Sequence, residues 1–364
     1  MCKEQSAKKR RSRKQRVLTV VIVSVIGVII LLSITAAVYV FAVLGRIRFS
    51  GNEPMDPNAG SDIGPGEDEP NGVTVDPSAY EKAGAVSEIP LRGDEDGIHN
   101  VLLVGVDSRN GNFVGLSDTN IILSINDHTK TVKLISLLRD VWVTIPGRDK
   151  DGDGQDDIGK LNTAYAYGRH KLQRQMIAQN FRLEIDDYIG VNFVVLPKLI
   201  DAMGGLDIEL TAKEITQIPE KGCTISVNNP GFIQMSGEPG VHHLDGFQAM
   251  EYARIRKIDS DFQRTDRQRE VVTLLLEKAK TMSYAQLLSV VYLAADSVDT
   301  NMTTSELLTF AANALTYRSY TIESGYHIPK SGEFRYTTIE GKGSGILMDD
   351  PKKIVKELHQ YIYG

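Results

Sequence analysis

The chain's 364 residues leave room for one large domain or two modest ones, and 41% of them are hydrophobic, enough for a core. The formal charge of −6 is uneven: residues 1–16 hold eight Lys/Arg against one acid, which leaves −13 for the remainder. That acidity argues against a nucleic-acid partner beyond the tail, and two cysteines exclude a disulfide scaffold.

Residues 17–44, VLTVVIVSVIGVIILLSITAAVYVFAVL, carry no charged side chain. They are long enough to span a bilayer with some tilt and too long for the apolar region of a cleaved signal peptide. Only Arg46 and Arg48 stand just behind. The positive-inside rule therefore expects a single-pass protein of the cell membrane, with a basic cytoplasmic tail (1–16), a transmembrane helix (17–44) and the rest outside. Cys2 and Cys223 then lie on opposite sides of the membrane and cannot pair. An external domain without disulfides suits a Gram-positive bacterium. Residues 45–97 are rich in Gly, Pro and acids, and read as a flexible, self-repelling extracellular linker to a folded domain over 98–364.

That domain opens with HNVLLVGVDSR, an apolar strand ending in Asp107, Ser108 and Arg109, where α/β folds tend to place ligands. Two apolar runs around NDHTK predict a hairpin, with Asp118 at the start of its first strand and Arg139-Asp140 interrupting the second. In DKDGDGQDD, Asp149, Asp151, Asp153 and Asp157 have the spacing of a Ca²⁺ loop, with Gly154 for the sharp turn. An EF-hand would want an apolar residue at Asp156 and a Glu at Lys160, so a partial Ca²⁺ site and an acidic surface loop both remain open.

Helical patterning extends from Lys160 to Phe181. A strand (DYIGVNF), a helix (VLPKLIDAMGG) and a strand (LDIEL) come next and suggest an α/β layered domain. Residues 211–243 are Gly/Pro-rich and show no pattern. Helical segments are expected near 270–297, 303–316 and 350–363, with a β-like stretch, YHIPKSGEFRYTTI, between the last two.

Residues 245–270 carry Arg254, Arg256, Arg264, Arg267 and Arg269 among Asp259, Asp261 and Asp266. Arg264 and Gln268 share one helix face, and Asp261 is placed to cap that helix. Guanidinium forks gathered at a helix N-terminus suit a phosphate group; the plain alternative is a salt-bridged surface helix.

Taken in order, NVLLVGVDSR, SDTNIILSIN, VKLISLLRDVWVTIPG, KLNTAYAYG, YIGVNF…LIDAMGGLDIEL, LDGFQAMEYARIR and DFQRTDRQREVV resemble the LytR–CpsA–Psr family over about residues 98–275. The resemblance implies a mixed central β-sheet flanked by helices in α-β-α layers, and a membrane-anchored enzyme with an external catalytic domain. Such enzymes move a glycopolymer (wall teichoic acid, capsular polysaccharide or similar) from undecaprenyl pyrophosphate to peptidoglycan. It implies Mg²⁺ (or Mn²⁺) on Asp107 and Asp118. Pyrophosphate would fall to Arg109, Arg139, Arg254, Arg256 and Arg264, joined by Asp261 and Gln268. Asp261 is the candidate base. Aliphatic residues in 121–138 and 271–292 would line a slot for the lipid tail, or are plain core. The chain departs from the pattern at Gln263, where the family has Gly, at Asp266, where Gln or Glu is common, and in a short stretch between Arg256 and Asp261. The alternatives are a polyprenyl-pyrophosphate phosphatase and a membrane-anchored regulator (a transcriptional attenuator).

Overall fold

A computed structural model describes residues 45–49, 73–74, 86–93, 95, 97–106, 113, 115–149, 152–192, 194–294 and 298–364. The expected tail and membrane span (1–44) lie outside these residues, as do Asp107, Arg109 and Asp151. Among the described residues no helix is long and apolar enough to cross a membrane. The chain divides into two units, Met1–Ile47 and Arg48–Gly364. Only 45–47 of the first are described, and all the described helices and strands belong to the second.

The period-two geometry of a strand sends alternate side chains to opposite faces, and β3 (Ile98–Val106) uses both. Its Leu102, Val104 and Val106 join Ile122 of β4 (Ser117–Asn126) and Ile135 and Leu137 of β5 (Thr131–Leu137) on one face. The helices α1 (Leu161–Phe181) and α8 (Pro351–Tyr363) cover that face with Leu161, Ala164, Met176, Ile354 and Leu358. Val101, Ile121, Leu123, Ile125, Val132 and Leu134 point the other way. There they meet Val272 and Leu276 of α5 (Asp261–Thr281) and Phe310 of α7 (Thr304–Tyr317). The aliphatic residues of 121–138 thus divide between two cores.

The result is the expected α-β-α layering around a mixed sheet. Its order is β1 (Arg48–Phe49), β11 (Val298–Thr300), β8 (Asp187–Asn192), β3, β4, β5 and β12 (Thr321–Ile328). The β4–β5 hairpin forms as its sequence predicts, with Ile122 opposite Ile135. Leu102 pairs with Ile122 antiparallel and with Tyr188 parallel, so β3 sits at the centre.

Elsewhere the structure departs from the sequence reading. After α2 (Leu196–Ala202), Gly204 and Gly205 both take positive φ, and the chain turns off the main sheet. LDIEL, as β9 (Leu206–Leu210), buries only alternate residues and pairs antiparallel with β10 (Gly240–Leu244). This hairpin closes a second core with α2 and α4 (Gly246–Arg254) through Ile200, Ile208, Leu244 and Tyr252. Within 211–243, a short α3 (Ala212–Ile215) is held by a capping box between Thr211 and Glu214. The long helix expected over 270–297 is two, because extended Met282 separates α5 from α6 (Tyr284–Ala294).

A strand hidden in glycine-rich GSGILM, β14 (Gly343–Met348), pairs with β13 (Phe334–Ile339), which also pairs with β2 (Val73–Thr74). Ile339 and Leu347 of that sheet pack on Trp142 of β6 (Trp142–Thr144), the partner of β7 (Ile158–Lys160). Parts of the stretch read as linker also join the domain. Ile89 is in the core, and the Arg92 guanidinium lies 3.8 Å over the Tyr363 ring.

His99 ties β3 to β8, with Nε2 2.8 Å from Asp187 Oδ2. That hydrogen bond, with the nearby Asp186 carboxylate, raises the imidazole pKa. A raised basic group stabilises fully below its unfolded value of about 6.5 and loses that contribution as pH rises through the folded value. Urea unfolding of wild type and His99→Ala should therefore show a larger stability gap at pH 6 than at pH 8.5.

Candidate functional site

The polar centre of the molecule forms where α5 begins. Ser260 is the N-cap, but its hydroxyl donates to Gln263 Oε1, so no side chain caps the helix. Asp261 is the first helical residue rather than the expected cap. Its Oδ1 faces Arg264 Nη2 at 2.6 Å and Arg139 Nε at 3.7 Å. Arg264 and Gln268, one turn apart, both turn inward and are 3% and 7% exposed.

The capping box of Asp245 and Gln248 starts α4 and carries Arg254 into its last turn. Ile255 leaves the helix in an extended conformation, which sets Arg256 beside Arg254 at the same cavity. Arg139 comes just after the end of β5, and its Nη1 donates to Asp118 Oδ1 at 2.5 Å.

Asp118, Glu251, Arg254, Arg256, Arg264 and Gln268 thus line a cavity of about 190 Å³, closed by Ser226 and Val227. Glu251 Oε1 accepts from Arg254 Nη1 and from Ser226 Oγ, both at 3.0 Å. A larger groove of about 620 Å³ adjoins it, lined by Arg139, Arg256 and Asp261 and running on past Lys160 to Tyr336.

Burial pushes the Arg264 pKa down to about 10. Asp261 opposes the fall, and the guanidiniums of Arg139 and Arg256 add to it. Burial would lower Arg139 as well, but the carboxylates of Asp140, Asp261 and Asp118 outweigh it and hold that pKa up. Arg264 Nε makes no hydrogen bond, and Nη2 meets Asp261 without hydrogen-bond alignment. Buried donors left without acceptors are costly unless a ligand supplies them. Converging guanidiniums with open N–H groups match an oxygen-rich anion such as a phosphate ester or diphosphate.

The structure therefore brings together Asp118, Arg139, Arg254, Arg256, Asp261, Arg264 and Gln268 from four separate segments. Asp107 and Arg109 lie outside the described residues. The other two arginines of the cluster serve the fold. Arg267 Nε donates to Glu214 Oε1 at 2.7 Å, Nη1 to Ile255 O, and Nη2 pairs with Asp259. Arg269 donates to Ser136 Oγ and pairs with Asp266.

Sequence reasoning passed over Asp140 and Glu251. Glu251 stands one turn before Arg254, a spacing visible in the sequence. Asp140 holds Arg139 Nε at 3.2 Å and Lys160 Nζ at 3.3 Å, and only the fold supplies that lysine.

In the acidic loop, Asp149 accepts from the N–H groups of Gly152, Asp153 and Gly154. Asp153 accepts from Gln155 N, and Asp157 faces Arg148 at 3.7 Å. Among the described residues no group of three or more His, Cys, Asp or Glu is placed to hold a metal.

The profile described as the LytR_cpsA_psr family matches residues 71–343. A relative from Oceanobacillus iheyensis, named polyisoprenyl-teichoic acid–peptidoglycan teichoic acid transferase TagU, is 34% identical over 226 residues, 59% of this chain and 62% of its own length. The chain thus spans less than two thirds of that relative. Protein gbs0355 from Streptococcus agalactiae has a similar structure, with a TM-score of 0.60 at 25% identity, over 76% of this chain and 89% of that one. The fold is shared as well with Bacillus subtilis YwtF (TagT), solved with bound octaprenyl pyrophosphate lipid. That likeness has a TM-score of 0.53 at 22% identity, over 76% of this chain and 95% of that one.

The Arg264 shift corresponds to on the order of 3 kcal/mol held against folding at every pH below about 10. Arg264→Gln should therefore leave the ligand-free stability equal to wild type or higher. Arg267→Gln, which strands the buried Glu214 carboxylate and removes the partner of Asp259, should lower it by about 3 kcal/mol. Urea unfolding checks both, and added inorganic pyrophosphate should raise the thermal midpoint of wild type but not of Arg264→Gln.

Proposed function

The chain belongs to the LytR–CpsA–Psr family, and from that premise we propose that it transfers a glycopolymer from a polyprenyl pyrophosphate carrier to a hydroxyl of peptidoglycan. The observation that carries the reading is the cavity where Arg254, Arg256 and Arg264 meet Asp118 and Gln268, with the Arg264 Nε proton still unclaimed. The name of the TagU relative and the lipid bound to YwtF support it. On this reading residues 17–44 anchor the chain in the cell membrane, and the folded domain works outside.

In the proposed step the acceptor hydroxyl attacks the phosphorus that carries the glycopolymer. A new P–O bond forms as the bond to the bridging oxygen breaks, and polyprenyl phosphate departs with that oxygen. The hydroxyl proton passes to Asp261, whose buried Oδ2 has no hydrogen-bond partner. Charge moving onto the leaving phosphate stays within reach of fixed guanidiniums, and positioning and electrostatics of this kind carry most of the rate of phosphoryl transfer. Gln268 and Arg264, fixed on one face of α5, orient the diphosphate.

Asp118 offers a hard oxygen donor at the cavity wall. It suits Mg²⁺ or Mn²⁺, with Asp107 proposed as the second ligand. When bound, such an ion would neutralise diphosphate charge.

Single-turnover reactions with lipid-linked polymer and peptidoglycan should yield a phosphodiester. Release of free polymer phosphate instead would identify a phosphatase. Asp261→Asn should slow transfer by about 10²–10⁴ while polyprenyl pyrophosphate still binds. Chelation should abolish transfer, and added Mg²⁺ should restore it.

A further inference from the structure

The carboxylate that grips Arg139 does not stand where its strand should put it. Asn120 and Ile122 of β4 are two residues apart and both face α1. Gln173 Nε2 of that helix donates to Asn120 Oδ1 at 2.9 Å, and Ile122 packs in the core that α1 covers. Strand alternation would send Asp118 to the same face. Asp118 instead lines the cavity with Arg264 and Gln268 of α5, the helix on the opposite face. The pairing of β3 with β4 accounts for this. Gly105 pairs with Thr119 and Val106 with Ser117, so one step along β3 spans two along β4, and Asp118 is the extra residue of a β-bulge. A bulge re-aims a side chain and interrupts the ladder around it.

Backbone groups that lose their ladder partners must be satisfied in another way. Ser117 O accepts from Asn120 Nδ2 at 2.9 Å, and Asn120 is held in turn by Gln173. These two amides are 2% and 0% exposed, and the layer they enter holds Ile122, Leu161, Ala164 and Met176. Burying an amide in such a layer is costly unless it is hydrogen-bonded. Among the described residues Gln173 Oε1 has no partner at all, so what the fold retains at this position is the donor. The start of α1 holds the neighbouring backbone as well. Ser117 Oγ donates to Asn162 O at 3.4 Å, and Asn162 N donates to Arg139 O at 3.0 Å. One helix thus fixes the chain on both sides of the 2.5 Å contact between Asp118 and Arg139.

We propose that Asn120 and Gln173 are positioning residues for Asp118. Gln173 fixes Asn120, Asn120 fixes the Ser117 carbonyl, and the bulge held in this way turns Asp118 out of the core layer and onto the arginine cavity. Neither amide lines that cavity. The inference rests on the transferase reading for the use made of Asp118, whereas the geometry can be observed without any reaction.

The test uses the full chain in detergent. Gln173→Met removes the donor and keeps the length of the side chain, and Asn120→Leu removes the second link. Crystal structures of both variants beside wild type should show the Asp118 carboxylate beyond hydrogen-bond reach of Arg139 Nη1, which a merely structural role for the amides would leave in place. In transfer, kcat per site titrated with inorganic pyrophosphate should fall about 10–100-fold, as it does when an outer partner of a working ligand is lost. KM for the lipid-linked donor should change little, because the arginines that bind it keep their places. If Asn120→Leu does not fold, Gln173→Met decides alone. A folded variant with Asp118 still on Arg139, or with the wild-type rate per site, overturns the proposal. If Asp118 moves in the variants and the wild-type chain makes no phosphodiester, the positioning stands and the transferase reading falls.

Discussion

Four guanidinium groups near one another repel, and burial adds a desolvation cost at the two innermost, Arg139 and Arg264. This site holds them together with carboxylates. Asp118 grips Arg139, Glu251 grips Arg254, and Asp261 stands between Arg264 and Arg139. The balance remains incomplete at Arg264, whose Nε is buried without an acceptor and whose pKa is pulled down. The rest of the structure depends on that imbalance, because an anion that supplies the missing oxygens is bound with the cost of gathering the charges already met by the fold.

Holding repelling groups in place requires rigid supports. Arg139 and Asp118 hang from neighbouring strands of a sheet covered on both faces. Arg254 and Arg256 leave the end of a capped helix set in its own small core. Arg264 and Gln268 project from α5, which packs on the main sheet through Val272 and Leu276 and on the small core through Val271. That helix joins the two hydrophobic cores, so the site lies at the junction between them. Arg267 and Arg269 brace its first turns against Glu214, Asp259 and Ser136. They keep the unfavourable arrangement in register.

Much of this was legible in the chain. Apolar runs bounded by turn residues gave the hairpin and the opening strand, and the spacing of Arg264 and Gln268 gave their common face. The acidic, proline-rich composition of 45–97 concealed Val86 and Ile89, which pack on the domain, because a short apolar pair inside a polar stretch has no period to detect. GSGILM escaped for a related reason, since glycines at its start mask a strand that only a partner hairpin stabilises. The β8–α2–β9 alternation suggested an α/β layered domain, and although that layering holds, two glycines in positive φ sent β9 to a different sheet.

The sequence by itself determined the local patterns, the sharp charge contrast between the tail and the rest, and the set of arginines available for an anion. The family resemblance singled out Arg254, Arg256 and Arg264, but spacing alone could not say which of five clustered arginines would face a ligand, because neighbours along a helix diverge by about 100° per residue and their partners lie far away in the chain. Tertiary structure made that division. It placed Asp118 against Arg139, Glu251 against Arg254 and Asp261 against Arg264, and gave Glu214 and Asp259 to Arg267. Side chains from remote segments form one site only when packing brings their backbones together, and no local spacing records that meeting.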